Sequence, residues 1–203
     1  FRRPENILID SVYAHHNRSM GVSLFAANNV TVTQINAEFN RRGLNTEWST
    51  NTTFRNSRTS SNDWYGISIV GGNDYLLFEN IESVNNGLDA SFGNASEIGI
   101  MAHTSWYQPD PFTGNYTFSI AQNLIFVGNS VIPSGNRPHV SILTSEEGRA
   151  VPPTQVGPKF TEQLLLQSPG ASEWGFLVDG NRVNAQDLPG YVLATFGLAI
   201  RTQ

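Results

Sequence analysis

Val30-Thr31-Val32-Thr33-Gln34-Ile35 is followed by Asn40 and then by Gly43-Leu44-Asn45-Thr46, and this one stretch sets the pattern for most of the chain. Apolar and polar residues alternate in both runs, the period of a half-buried strand, and Asn or Gly punctuates each end. Moving outward, the same order returns. Before it stand 7–12, Asn17 and 21–24; after it stand 53–56, Asn62 and 66–69; then 76–81, Asn85 and 99–102; then 124–129, Asn136 and 140–143.

Two columns of asparagine march together through these copies. Asn17, Asn40, Asn62, Asn85 and Asn136 are spaced 23, 22, 23 and 51 residues apart, and Asn28, Asn51, Asn73 and Asn123 are spaced 23, 22 and 50. Both columns lengthen at the same place, as an insertion inside one coil requires. A unit of two or three short strands with polar corners cannot bury its apolar face alone, whereas stacked units can. The expected fold is therefore all-β, a parallel β-helix solenoid of about five or six coils with loop insertions, its coils roughly 4.8 Å apart. Asn suits the corners because its side chain mimics backbone hydrogen bonds and it tolerates left-handed backbone. A leucine-rich horseshoe would need its own Leu spacing and a helical leg, and a jelly roll would need no constant period.

Regular coils are expected over 5–144, an irregular excursion over 145–175, and a weak last coil with a cap over 176–203, all in one domain spanning 1–203. The start at Phe1-Arg2-Arg3-Pro4, without Met, reads as a fragment of a longer chain. Two interruptions, 87–96 and 104–120, are the loops in which binding would reside.

Charged residues are only 14% of the chain, against roughly 25% in an average protein. Neutral hydrogen-bonding side chains, 21 Asn among them, carry its polarity. A net charge of −5 with a single Lys argues against nucleic-acid or anionic-membrane partners, which need clustered cations. No apolar run approaches the roughly 18 residues of a membrane span, so no membrane insertion is expected. Absence of Cys excludes disulfides and thiol chemistry.

The repeats over residues 5–144 resemble those of the pectin-lyase-like superfamily, which includes mannuronan C5-epimerases, alginate and pectate lyases, polygalacturonases and phage tailspikes. The resemblance implies a right-handed helix, a polysaccharide partner and an extracellular, secreted or virion-surface location. It transfers no activity motif. The epimerase Asp-Pro-His-Glu is absent, because Asp110-Pro111 leads to Phe112. The polygalacturonase set is absent too, because Asn45-Thr46 leads to Glu47 and no Gly-His-Gly occurs. Calcium-binding nonapeptides are also missing, so no metal or other cofactor is predicted.

Stacking turns sequence columns into surface lines. His15, His16, Glu38, Arg41, Arg42, Asp63, Trp64 and Tyr65 are expected on one polar strip. Arg would pair with sugar carboxylates, and Trp or Tyr would stack on pyranose faces. Catalytic roles are assigned to His15, His16, Glu38, Arg41 and Asp63. Glu38 with Asp63 would serve glycoside hydrolysis. His15 or His16 as base with Arg41 as enolate stabiliser would serve elimination or epimerisation. Arg42, Trp64, Tyr65, His103, Trp106 and Tyr107 would bind substrate. The leading functional expectation is a lyase, C5-epimerase or glycoside hydrolase acting on an acidic glycan. The alternatives are a viral or phage tailspike, forming a homotrimer, and a non-catalytic adhesive repeat.

Overall fold

The computed structural model describes residues 2–93, 95–101, 111, 121–134, 137–143, 175–178 and 181–184. Among these residues every regular element is a strand and no helix occurs. The first coil contains β1 (Glu5–Asp10), β2 (Tyr13–His15) and β3 (Met20–Phe25), and the second β4 (Asn28–Thr33), β5 (Asn36–Glu38) and β6 (Arg42–Glu47). β7 (Thr50–Ser60) and β8 (Tyr65–Val70) make the third. They are followed by β9 (Asp74–Val84), β10 (Ser96–Met101), β11 (Gln122–Val127), β12 (Ser130–Ile132), β13 (Val140–Leu143), β14 (Gly175–Val178) and β15 (Asn181–Asn184).

One face stacks β1, β4, the first half of β7, the first half of β9, and β11. The adjoining face stacks β2, β5, the second halves of β7 and β9, and β12. A separate sheet stacks β3, β6, β8, β10, β13 and β14. Every one of these pairings is parallel, so the chain is a parallel β-solenoid, with about three turns running without interruption over 5–73. At the start of the expected last coil β14 stacks parallel on β13, and β15 runs antiparallel to β14; the remainder of 176–203 lies outside the described residues.

The alternation read from the sequence puts one residue of each pair into a shared interior. Ile9, Val32, Phe54, Phe78 and Phe126 form one column, and the last three rings lie parallel with centroids 4.9 and 4.6 Å apart. Val22, Leu44, Ile67, Ile98 and Val140 form the facing column. Truncating a ring such as Phe78 at the middle of this stack costs about 3–5 kcal/mol.

Corners repeat as strictly as strands. His16, Phe39, Ser61 and Asn85 all have φ near +54°, and each donates its amide to the carbonyl of the next coil, at Glu38, Ser60, Val84 and Ile132. Three further left-handed columns begin at Asn6, Ser11 and Ala26. Asn tolerates this backbone at little cost, whereas Phe39 or Trp48 costs on the order of 1–3 kcal/mol, offset by the bonds along the column.

The first asparagine column is real but ends differently from its sequence spacing. Asn17 donates to Asn40 (2.9 Å), the Asn40 amide to Asn62 (2.9 Å), and Asn62 to Asn86 (2.7 Å). Asn86, not Asn85, is the fourth rung, because the corner 71–73 before β9 holds one residue more than the corner 48–49 before β7 and the offset becomes 24. The second column dissolves. Asn28 stacks with Thr50, Asp74 and Gln122, Asn51 donates to Asn28 from the next corner position, and Asn73 is buried under Ser49.

Glycine follows the ladder because the asparagine amides lie against it. A Cβ at Gly43 would stand 2.5 Å from the Gly66 carbonyl and 3.0 Å from Asn62 Nδ2. Glu97, not Gly99, falls opposite Gly66, between the pairs Ser96–Tyr65 and Ile98–Ile67. Its carboxylate accepts from the Asn86 amide (2.8 Å), Asn86 Nδ2 (2.5 Å) and Ser83 Oγ (2.8 Å), thereby taking the place of the next asparagine.

Candidate functional site

The ladder's outer side carries most of the strip anticipated from sequence. His15 lies directly over Glu38, and Glu38 over Ser60. Beyond Ser60 the column continues to Val84 and Ile132, so it loses its polarity there. The Tyr13 hydroxyl donates to Glu38. That contact holds the Tyr13 proton above the ordinary phenol range. The His15 ring stacks on Tyr13 (4.5 Å), His15 Nδ1 meets His16 Nδ1 at 3.0 Å, and His16 stacks on Phe39 (5.0 Å). One of the two imidazoles donates across that contact and the other accepts.

Asp63 belongs to a different column, one position past the ladder. Its amide bonds the Asn40 carbonyl as Arg41's bonds that of Asn17. Glu38 and Asp63 therefore stand on neighbouring coils but not in line, and the geometry does not present them as an opposed pair.

Trp64 is not the open platform expected. Phe92 stacks on it at 4.3 Å and 17°, while the Arg41 guanidinium sits over the ring at 4.2 Å. Two groups at that separation cannot share one face, so both faces are covered. Trp64 Nε1 donates to Asp89 (3.3 Å), and Arg137 to the Asp89 carbonyl (2.9 Å). These bonds tie the insertion between β9 and β10 to the third coil through Trp64 and to the segment between β12 and β13 through Arg137. Hydrogen bonds from Ser91 chiefly, and from Trp64, hold the Asp89 carboxyl below the usual range.

Arg42 lies mostly under the surface with its guanidinium 5.4 Å from the Trp64 ring. It donates to Asn45 (3.2 Å), and its Nε has no partner. Burial chiefly lowers its hold on its proton, against Tyr65 and the Glu47 carboxylate, which raise it, while the neighbouring Arg41 lowers it slightly further. Arg58 and Glu82, on the adjoining face, form an ion pair at 3.4 Å.

Tyr65 is corrected from surface to interior. It is fully buried, its ring lies where a Gly99 Cβ would be, and burial holds its hydroxyl well above the ordinary phenol range. Beside it runs a row that the sequence reading missed, Asn45, Ser68 and Ser141, all buried although they alternate with core-facing residues. Tyr65 Oη, Ser68 Oγ and Ser141 Oγ have no hydrogen-bond partner. Serine recurring at Ser23, Ser68 and Ser141, each one residue past a core Val or Ile, was the available signal. His103, Trp106 and Tyr107 lie outside the described residues.

The chain is a parallel β-solenoid similar in fold to solved structures. One is the A-module of a mannuronan C-5 epimerase from Azotobacter vinelandii, at a TM-score of 0.58 and 15% identity over 68% of this chain and 37% of that one. Another is an alginate lyase from Paenibacillus sp. str. FPU-7, at a TM-score of 0.50 and 10% identity over 66% and 44%. The chain thus spans less than half the length of either. No family model and no curated protein matches it.

Proposed function

We propose that this chain is a single right-handed β-helix domain of five or six coils, extracellular or on a virion surface, that acts on an acidic polysaccharide. Lyase, C5-epimerase and glycoside hydrolase are the activities it fits. One observation carries the reading: the Arg41 and Arg42 guanidinium groups both lie against Trp64, 4.2 and 5.4 Å from its ring centroid, with Glu47 the carboxylate whose charge reaches Arg42. A partly buried cation beside a like charge is favoured by an incoming anion, and a uronate carboxylate supplies one per sugar. Both structural neighbours act, by their names, on alginate or its mannuronan form, which supports the same substrate class.

The test is incubation with alginate and polygalacturonate, followed by unsaturated-uronate absorbance, reducing ends and direct binding. The joint variant Arg41→Ala, Arg42→Ala is expected to bind the anionic polymers at least about tenfold more weakly, with a shallower salt dependence. Silence of the unaltered protein in all three readouts sinks the proposal.

A binding-only reading, tailspike or adhesive, has its own support. Glu38, His15 and His16 are each engaged by a neighbour in the strip, which leaves Asp63 as its one carboxylate without a side-chain partner. Binding without turnover would favour it, and a trimer in light scattering would favour the tailspike form.

A further inference from the structure

The left-handed corner column holds an aromatic stack that stops abruptly. His16 lies on Phe39 with centroids 5.0 Å apart, and the next rungs are Ser61 and Asn85. The corner backbone does not change along this column, since all four residues share one φ and one hydrogen-bond pattern. Only side-chain size changes. Coils rise by roughly 4.8 Å, so a hydroxymethyl between Phe39 and Asn85 leaves a step one ring thick. Phe39 is 48% exposed and, among the described residues, carries no ring on the face away from His16.

Polar groups frame the step on the same corner. Asp63 and Asn85 are exposed and their side chains make no hydrogen bond or ion pair. Arg41 leans onto Trp64 of the same coil as Ser61. A saturated sugar ring offers a face of C–H groups to an aromatic and an edge of hydroxyls to a carboxylate, and this is the pairing of surfaces found here.

We infer that the step over Ser61 is a pyranose subsite, with Phe39 as its stacking face, Asp63 accepting from ring hydroxyls and Arg41 facing the carboxylate edge of a uronate. This rests on the polysaccharide reading above and locates one sugar of the chain at the corner. Ser61→Phe would extend the aromatic stack into the step, and the backbone there already accepts Phe at Phe39 with the same φ.

The probe is a mannuronate tetrasaccharide titrated by calorimetry against the full chain, with melting temperature recorded for every variant. Ser61→Phe and Phe39→Ala are each expected to weaken binding about tenfold or more, Phe39→Tyr to restore it, and Asp63→Asn to cost a few-fold. Near-wild-type affinity in both Ser61→Phe and Phe39→Ala, with wild-type protein binding well, overturns the subsite and leaves the polysaccharide reading standing. If the wild type binds neither this probe nor polymeric alginate, that reading fails and takes the subsite with it.

Discussion

The corner between the second and third strands of each coil has two sides that obey different rules. Facing inward, Asn17, Asn40, Asn62 and Asn86 hold one position through four coils, and Glu97 completes the run. Facing outward and exposed, the residue just past each of the first three rungs is Arg18, Arg41 and then Asp63, so that even the sign of the charge changes. Both sides are built by the same backbone within one or two residues. The difference lies in what each side chain must satisfy: a buried asparagine closes peptide groups that nothing else reaches, while an outward side chain answers only to solvent and ligand. Regularity here marks architecture, and variation marks the surface on which function can be written.

The contrast is sharpest at the third coil. Asn62 donates to the Ala37 carbonyl (3.0 Å) and to Asn86, and accepts from the Asn40 amide. Asn62→Ala strands a buried amide and a buried carbonyl, so a loss of about 2–4 kcal/mol is expected in urea unfolding. Asp63→Ala, one residue away, should change stability by less than about 0.5 kcal/mol. Similar losses at the two positions would remove the distinction.

The same contrast explains what could be read from sequence. Apolar alternation and the 22- to 23-residue offset were visible because the coils repeat them, and parallel stacking followed. Registers slipped where two asparagines adjoin, at Asn85 and Asn86, and where a rung carried something other than its usual residue, at Glu97. Asn85 was taken for Asn86 because both letters are the same, and Glu97 was invisible because a carboxylate filled an asparagine's place from the strand side. For the outward strip, position followed from the repeat, so His15, Glu38 and Arg41 were placed on a common face. Contacts did not follow, since the covering of Trp64 by Phe92 depends on how an inserted loop folds back. The burial of Tyr65 depends on whether its ring turns along the sheet, which no period encodes.

Glu97 offers a smaller but more diagnostic break. Its carboxyl is buried without a cation, and burial chiefly raises its hold on the proton, against hydrogen bonds from Asn86 and Ser83. A carboxyl whose folded-state pKa exceeds its unfolded value stabilises the fold at low pH and gives that stability up as pH climbs through the raised value. The unaltered protein is therefore expected to lose stability from the ordinary glutamate range upward. Glu97→Gln should flatten that slope, at a cost of about 1 kcal/mol at the acid end, where its amide group meets the Asn86 amide group donor to donor. An unchanged slope in the variant would mean that the ladder's end does not feel this proton.

Asn17, at the open end of the column, should matter least. It is exposed, and its side chain donates to Asn40 while receiving nothing from a coil above among the described residues. Its own amide also bonds Asn40 Oδ1 (3.0 Å), a contact that Asn17→Ala keeps. One solvent-reachable hydrogen bond is then lost, worth about 0.5 kcal/mol. Measured beside Asn62→Ala, the pair gives a gradient along one column of identical residues. A steep gradient says that burial by neighbouring coils sets the worth of each rung. A flat one, with Asn17→Ala as damaging as Asn62→Ala, would mean that the asparagine's local hold on its own corner is what matters, and the stacked neighbours contribute little to it.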